Sequence, residues 1–301
     1  VGTLGGGATG HAAMSWVRAA CVLAGGLACV AATRSAPFTL RAEGEPSRRR
    51  GAQLRLTLQN RPFVVLMAVK LLQLLGVALH QAALAFFTAH ALRTGHAAIA
   101  LILTTSTVAM LASLPVWLRI SRRIGKVRTF QAGAVVYAVG TLAWLWTGEG
   151  TPTAMVIAIP AVTGVASAAM LLIGQSMLPD TIAYDRELTG RNREGALTGV
   201  YSMVEKVAFA LGMVLAGGVL TVGGYVSGMG DSTERQSADA IAAVYACFAT
   251  LPALCSLAAG AALFWYRLER DPRDRGDRVD ARTPVPVPGP APGARVAGSL
   301  S

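Results

Sequence analysis

The sequence predicts an all-α membrane protein, and three observations lead to that fold class. Hydrophobic residues make up 53% of the 301 residues, charged residues only 14%, and the mean hydropathy is +0.50. A soluble globular chain carries about 25% charged residues, so this composition excludes a soluble enzyme. Apolar runs of membrane-spanning length recur along the chain, and the positive charges are concentrated in every second connection between them.

Seven apolar runs are each long enough to cross a bilayer as a helix, because about 20 residues span its hydrocarbon core. They cover residues 12–33, 62–90, 97–118, 129–147, 152–178, 197–224 and 238–266. Their order predicts four parts of the chain. These are an outer segment with the first helix (1–33), a basic central cytoplasmic loop (34–61), a six-helix half (62–268) and a disordered, Pro-rich cytoplasmic tail (269–301).

Lysine and arginine predict the orientation of the chain in the membrane. Segments 34–61, 119–128, 180–196 and 267–282 carry 21 of these residues, whereas the connections on the opposite side carry only Arg93 and Arg235. Cytoplasmic loops are enriched in Lys and Arg. We therefore expect a multi-pass protein of the plasma or inner membrane, with the N-terminus of this chain outside and the C-terminus in the cytoplasm.

Several function classes are disfavoured by the same sequence. The net charge of +11 does not indicate a nucleic-acid partner, because the basic clusters separate apolar runs instead of forming one face with stacking aromatics. The four cysteines and four histidines lack metal-binding spacing, and no GxSxG, HExxH or phosphate-loop motif occurs in the sequence. We therefore expect a protein that is not an enzyme, has the lipid bilayer as a partner and holds no metal or cofactor.

Polar residues inside the second apolar run fall on one helical face. Lys70, Gln73, Val77, His80 and Gln81 lie at offsets 0, 3, 7, 10 and 11. Intramembrane polar side chains are costly and usually face a cavity or a partner. One interpretation is therefore a stripe that lines an aqueous pathway. The alternative is polar contact between packed helices, which membrane proteins also use.

A second group of polar residues lies on two later helices, at Gln175 and in the stretch that contains Tyr201, Glu205 and Lys206. Lys70 and Glu205 each lie eight residues past the cytoplasmic start of a helix, at a depth of about 12 Å. We expect these two side chains to form an ion pair and Lys206 to face the central cavity. The alternative is that Glu205 or Lys206 extends to the inner membrane interface.

The connection between the fifth and sixth predicted runs is dense in charges of both signs. Such a segment suits an ion-pair gate that breaks and reforms as helices rock, although a solvated loop would carry similar residues. The candidate gate residues are Asp180, Tyr184, Asp185, Glu187, Arg191, Arg193 and Glu194.

In this segment the chain resembles the glycoside–pentoside–hexuronide:cation symporters, a branch of the major facilitator superfamily. The matching stretch is Leu178-Pro-Asp-Thr-Ile-Ala-Tyr-Asp-Arg-Glu-Leu-Thr-Gly-Arg-Asn-Arg-Glu-Gly195, and it continues in Tyr201-Ser-Met-Val-Glu-Lys206. Asn60-Arg-Pro-Phe63 is similar to the family's entry to helix seven, and Arg122-Arg-Ile-Gly-Lys126 to the superfamily's basic turn between helices eight and nine. The resemblance covers about residues 55–270, and Ala183 departs from it because the family often has an acid there.

The resemblance implies a major-facilitator-type bundle in which the seven helices are helices 6–12 of a twelve-helix transporter, with the N-terminal helices missing from this chain. It implies alternating access and symport of a sugar or glycoside with Na⁺ or H⁺, whose binding carboxylates belong largely to the missing half. The substrate cavity would include Lys206, Lys70, Gln73, Gln175 and Tyr201. The alternatives are a transporter of a lysolipid or another non-sugar solute, a membrane-embedded enzyme, and a scaffold or receptor without transport.

Overall fold

The computed structural model describes residues 8–34, 60–94, 96–190, 193–226 and 236–266. Every regular element within these ranges is helical. Most of the predicted central loop, the predicted disordered tail and the candidate gate residue Arg191 lie outside the described residues. The chain divides into two compact units, residues 1–48 and 49–301, and the division falls inside the predicted central loop.

The first unit contains a single described helix, α1 (Ala8–Thr33). It confirms the helix predicted for the first apolar run, and its apolar stretch is Val22–Thr33. Val22, Leu23 and Leu27 are between 66% and 73% exposed within the chain. Because such side chains bind water poorly, this surface suits contact with lipid or with other helices.

The described part of the second unit contains six helical rods, one for each remaining apolar run. They are α2 (Arg61–Phe86, continued by a π turn, Phe87–Ala91), α3 (His96–Ile124), α4 (Lys126–Leu142, continued by a 3₁₀ turn, Ala143–Trp146), α5 (Thr153–Thr189), α6 (Glu194–Val222), and α7 (Ala238–Tyr245), which a π turn (Ala246–Thr250) joins to α8 (Leu251–Ala262).

By length and composition, five of the described helical rods could cross a membrane: those containing α2, α3, α5, α6 and α7–α8. The helix α4 has 17 residues and reaches membrane-spanning length only with its 3₁₀ turn. The fold is therefore an all-α membrane bundle, as the sequence predicts.

The start of α2 and the end of α5 follow local capping rules. Asn60 is the N-cap of α2, and its side-chain oxygen accepts a hydrogen bond from the Phe63 amide at 3.2 Å. Gly190 ends α5 with a φ of +63°, a left-handed conformation that glycine adopts without steric cost, and its amide donates to the Arg186 carbonyl at 2.9 Å.

The length of α5 differs from the sequence prediction. The apolar run ends near residue 178, but the helix continues to Thr189, so most of the charged connection is helix rather than loop. Hydropathy marks where the side chains stop being apolar, whereas a helix ends only where its backbone hydrogen bonds end. The candidate gate residues from Asp180 to Glu187 are consequently held on one rigid element.

Helix packing places α5 and α2 at the centre of this unit. The helix α5 packs against α3 and α4, whereas α2 packs against α6 and α8. A glycine at position 164 lets α5 approach the backbone of α3 at Ser106, and any Cβ atom there would collide with that backbone. Small residues at such positions allow membrane helices to pack closely.

Within the second unit, two of the membrane-length helices remain largely uncovered by its described residues. In the apolar stretches of α3 and α6 only 17% and 22% of residues are buried, compared with 50–61% in the other three membrane-length rods. Exposed apolar side chains on these two helices include Val108, Leu111, Met213 and Val214. These surfaces are suited to lipid or to further helices.

Candidate functional site

The predicted cavity residues of three helices meet in one polar cluster. The Lys70 ammonium of α2 lies over the ring of Tyr201 of α6, 5.0 Å from the ring centroid, which is cation–π geometry. The Tyr201 hydroxyl donates a hydrogen bond to Gln175 Oε1 of α5 at 3.1 Å. Gln73 Oε1, one turn beyond Lys70, lies beside the backbone of Gly174. We call Lys70, Gln73, Gln175 and Tyr201 the polar cluster.

The polar cluster is buried on one side and open on the other. Lys70 is 2% exposed, Tyr201 4% and Gln73 8%, whereas Gln175 lies at the surface of the chain. A ligand that approached from the side of Gln175 would therefore meet amide, hydroxyl and ammonium groups in turn. This arrangement can recognise a small polar molecule, because convergent polar groups in an apolar setting fix a ligand's orientation.

The predicted Lys70–Glu205 ion pair is not a direct contact. Neither side chain forms a salt bridge within the described part of the chain, and Lys70 contacts the aromatic ring of Tyr201 instead. Glu205 lies one turn after Tyr201 on the same helix and acts on Lys70 only through a longer-range Coulombic interaction. Counting residues from the start of a helix does not give the direction of a side chain around the helix axis, so an equal predicted depth did not produce contact.

Lys206 follows Glu205 and lies on the uncovered side of α6. Its side chain is exposed, together with the neighbouring Ser202 and Met203. An ammonium group on an uncovered membrane helix is costly in lipid, so it requires an aqueous cavity or a partner from other helices. Its assignment to the central cavity remains a prediction.

The polar residues on one face of α2 make two different kinds of contact. Further along the helix, His80 Nδ1 donates to the Phe248 carbonyl at 2.7 Å, and the two rings stack with their centroids 4.1 Å apart. Phe248 lies in the π turn between α7 and α8, where the backbone departs from the regular helical pattern. His80 therefore acts as polar contact between helices, whereas Lys70 and Gln73 belong to the polar cluster. No sequence signal identifies the π turn.

Three helix ends meet at a buried carboxylate among the candidate gate residues. Asp185 Oδ1 of α5 accepts hydrogen bonds from Asn60 Nδ2 and from Arg193 NH2, both at 2.9 Å. The Asp185 side chain is 3% exposed and that of Arg193 is 10% exposed. Because Asn60 begins α2 and Arg193 precedes α6, this carboxylate holds three helices together. We call Asn60, Asp185 and Arg193 the inner cluster.

A second charged contact ties α5 to α4. Lys126 Nζ donates to Asp180 Oδ2 at 2.6 Å and to the Ser176 carbonyl at 3.0 Å. The two charged side chains are 40% and 32% exposed, so solvent weakens their attraction. Among the described gate residues, Asp180 and Asp185 thus pair with different partners, Lys126 and Arg193.

Glu187 and Glu194 border an open groove between the end of α5 and the start of α6. This groove has a volume of about 680 Å³, and its lining includes Leu178, Ile182, Arg186, Glu187 and Glu194. Tyr184 is half-buried, whereas Glu187 and Glu194 are exposed. The structure therefore brings Asp185 and Arg193 together but leaves Glu187 and Glu194 at the surface.

Asn60 and Lys126 are the structural partners that the sequence did not assign to a site. Asn60 could have been recognised from its position as an N-cap directly before Arg61-Pro62, a common start signal for helices. Lys126 lies in the basic turn after α3, and only the fold brings it to Asp180.

Comparison with known proteins gives the chain a family context. The model of the family described as MFS/sugar transport protein matches residues 2–270. The chain is 26% identical over 219 residues to an uncharacterised symporter of Synechocystis sp., an alignment that covers 72% of the chain and 40% of that relative.

The names of two further relatives state the solute that they carry. The chain is 24% identical over 210 residues to a glucuronide carrier protein homolog of Escherichia coli, covering 70% of the chain and 45% of the relative. It is 27% identical over 216 residues to the isoprimeverose transporter of Lactiplantibacillus pentosus, covering 70% of the chain and 43% of the relative. The chain thus spans less than half the length of these curated relatives.

Proposed function

The chain belongs to the MFS/sugar transport protein family, and from this membership we propose that it is the C-terminal, seven-helix portion of a cation-coupled symporter for a sugar or glycoside. The membership confirms the resemblance that the charged segment predicts. In this proposal Na⁺ or H⁺ drives uptake across the plasma or inner membrane, and the C-terminus of the chain lies in the cytoplasm.

The observation that carries the proposal is the polar cluster. Residues from α2, α5 and α6, far apart in the chain, converge at one place within helices of membrane-spanning length. Sugars carry many hydroxyl groups, and amide and hydroxyl side chains can both donate to and accept from them. The names of two relatives, a glucuronide carrier homolog and an isoprimeverose transporter, support a sugar as the solute.

The uncovered surfaces of α3 and α6 support the second part of the proposal, that another set of helices completes the transporter. These surfaces combine exposed apolar side chains with the Lys206 ammonium. Lipid accommodates the apolar side chains but not the charge of Lys206, whereas a second half that faces these helices across an aqueous cavity accommodates both. Alternating access then requires the two halves to rock about the polar cluster.

The inner cluster supports a role at the cytoplasmic side of such a transporter. Asp185 joins the start of α2, the end of α5 and the start of α6, so the three inner helix ends move together. Rocking of one half as a rigid body needs such fixed ends. We assign the inner cluster to holding this half rigid, and the groove beside it to the gating surface.

The test is gradient-driven uptake by the complete protein encoded by the reading frame that contains this chain. Purified protein in proteoliposomes should accumulate labelled glycosides when an inward Na⁺ or H⁺ gradient is imposed, and an ionophore should abolish accumulation. Replacing Lys206 with Met should reduce uptake at least about 10-fold, because a cavity charge is lost. Arg93→Gln removes a positive charge outside the cavity and is the matched control.

The alternatives predict different results in the same vesicles. A lysolipid transporter would move labelled lysophospholipid and no glycoside. A scaffold or receptor would move neither solute under any gradient. Glycoside uptake that is unaffected by both cation gradients would retain the sugar transporter and overturn cation coupling.

A further inference from the structure

Three of the helical rods leave α-helical geometry at one place in the second unit. The rod containing α2 ends in a π turn (Phe87–Ala91), α4 ends in a 3₁₀ turn (Ala143–Trp146), and a π turn (Ala246–Thr250) separates α7 from α8. After the two π turns, the amides of Leu92 and Leu251 donate to carbonyls five residues earlier instead of four. Such turns interrupt the regular hydrogen-bond ladder and are common sites of helix kinks.

Aromatic side chains join these three turns. The ring of Phe248 stacks on that of Phe87, with the centroids 4.0 Å and the planes 14° apart. Trp144 contacts both rings edge-on, at centroid distances of 5.3 and 5.6 Å, and Tyr245 contacts Phe87 at 5.4 Å. We call Phe87, Trp144, Tyr245 and Phe248 the aromatic cluster. Offset-stacked and edge-on rings stay in favourable contact over a range of separations, so these rings can slide without coming apart.

A buried carbonyl at the second π turn takes its hydrogen-bond donor from another helix. In a regular α-helix the Phe248 carbonyl would accept from the amide of residue 252, but Pro252 has no N–H to donate. His80 Nδ1 of α2 donates to this carbonyl at 2.7 Å, and the two rings stack 4.1 Å apart. A buried carbonyl without a donor is costly. His80 thus supplies the hydrogen bond that Pro252 removes, and the rod can bend at this turn without leaving the carbonyl unpaired.

The two ends of these rods are held in different ways. At one end α2 begins in the inner cluster, and the Tyr266 hydroxyl, just after α8, shares a hydrogen bond with Thr181 of α5 at 2.9 Å. At the other end the Tyr245 hydroxyl of α7 donates to the Thr147 carbonyl, directly after the 3₁₀ turn of α4. The helix α7 also packs against the π turn of α2. The segments beyond the aromatic cluster are therefore joined to one another, and the irregular turns connect them to the rest of the bundle.

We propose that the aromatic cluster is a hinge, about which α7 and the adjoining ends of α2 and α4 tilt as one body. The helices between the hinge and the inner cluster stay fixed. The helix α7 is about 12 Å long, so a bend of about 20° moves its start by about 4 Å. The inference uses the proposed function in one respect: in a transporter, this tilt opens and closes the end of the bundle opposite the inner cluster.

Distances between spin labels measure the tilt in the complete protein, reconstituted in lipid with its native cysteines replaced. One pair, Asp239→Cys with Thr153→Cys, joins the start of α7 to the start of α5, which is a continuous α-helix. The matched pair, Asp239→Cys with Thr94→Cys, has both labels beyond the hinge. All three positions are exposed. The hinge predicts two populations about 4 Å apart for the first pair and one population for the second.

Pro252→Ala separates a hinge from a purely structural turn. The new amide can donate to the Phe248 carbonyl, so the first pair should show one population and the protein should be at least as stable as wild type. Glycoside turnover, kcat, should nevertheless fall about 2- to 10-fold, because each tilt must break the added hydrogen bond. Pro115→Ala removes a proline inside α3, where the α-helix continues on both sides, and should leave kcat and the distances unchanged.

A second pair of variants tests the role of His80. His80→Leu leaves the Phe248 carbonyl without its donor and should lower the melting temperature. Adding Pro252→Ala to the same chain supplies a backbone donor and should restore most of that loss. If the double variant melts no higher than His80→Leu, His80 does not replace the missing backbone donor, and the proposed origin of the hinge is wrong.

The distances decide the hinge separately from transport. A single population for the first pair in wild-type protein overturns the hinge, whether or not glycoside is transported. A Pro252→Ala variant with wild-type distances and wild-type kcat also overturns it. If the distances behave as predicted and no glycoside is transported, the hinge stands and the proposed function fails. Should Pro252→Ala not fold, judged by size-exclusion chromatography, the wild-type distances of the two pairs decide the question.

Discussion

Replacing Asp185 with alanine removes the carboxylate that joins three helix ends. Its Oδ1 atom accepts from Asn60 and Arg193 at 2.9 Å, and the pair with Arg193 is almost fully buried, at 3% and 10% exposure of the two side chains. Removing one partner of a buried ion pair costs about 3–5 kcal/mol, because the other charge is left without compensation. A chain of this size loses about 2–4 °C in Tm for each kcal/mol. Asp185→Ala should therefore melt about 6–20 °C below wild type.

The assay is tryptophan fluorescence during heating of the purified protein in detergent. Glu187→Ala is the matched control, since Glu187 lies two residues further along the same helix and is exposed. Surface substitutions usually change stability by about 0.5 kcal/mol or less, so this control should melt within about 2 °C of wild type.

A double variant tests whether the pair itself carries the effect. Arg193→Met alone should also be destabilising, because it leaves Asp185 buried without its ion-pair partner. Combined with Asp185→Ala it should cost less than the sum of the two single changes, with a coupling of about 0.5–3 kcal/mol. The reasoning is refuted if Asp185→Ala melts like Glu187→Ala, or if the two losses add fully.

Three further predictions follow from named contacts. Lys126→Met breaks a half-exposed ion pair and should cost about 1 kcal/mol or less, with the difference shrinking in 1 M NaCl; a loss as large as that of Asp185→Ala would contradict this. Gly164→Ala inserts a methyl group against the backbone of α3 and should cost about 1–3 kcal/mol by thermal melting. Gly217→Ala, where nothing lies within 4 Å, is its control and should be neutral or stabilising. Tyr201→Phe loses one hydrogen bond but keeps the ring under the ammonium, so it should cost about 1 kcal/mol or less in stability and raise the glycoside KM; an unchanged KM would remove its hydroxyl from the site.

Hydropathy predicted the helices because a bilayer demands long apolar runs, and each of the seven runs contains a helix. It did not predict where the helices end. The chain remains helical through Arg122 and Arg123 at the end of α3, and through eleven residues beyond the apolar run of α5, which ends near residue 178. Charged side chains can extend into water from such ends without breaking the backbone hydrogen bonds.

Four of the five predicted cavity residues, all except Lys206, lie together in the structure, but the sequence did not predict their contacts. Helical periodicity placed Lys70 and Gln73 on one face, and both joined the polar cluster. His80 lies on the same face, but its partner is a carbonyl in the π turn, 168 residues away. Such contacts depend on how the helices pack and on where the backbone departs from regular helical geometry. The sequence of a single helix reveals neither.

The charged connection shows the same limit. Its composition indicated ion pairs, and Asp185 with Arg193 is one. The other acid, Asp180, pairs with Lys126, 54 residues earlier. From the sequence alone, each charged residue has many possible partners. Only the structure shows that the Asp185–Arg193 pair is buried and the Asp180–Lys126 pair is exposed to solvent, which determines how strong each pair is.

The most direct test of a sugar pathway through the polar cluster is chemical accessibility at Gln175. In the complete protein with its native cysteines replaced, a single cysteine at this position is treated with a charged, membrane-impermeant methanethiosulfonate in proteoliposomes. A cysteine in place of Val139, an apolar residue of α4 that is 65% exposed, provides the lipid-facing control.

A water-filled cavity predicts that Gln175→Cys reacts far faster than Val139→Cys, and that saturating glycoside slows only the first reaction. Equal, slow reaction at both positions would place Gln175 against lipid. Rapid reaction that no glycoside slows would show a cavity without a sugar site, and either result would contradict the account.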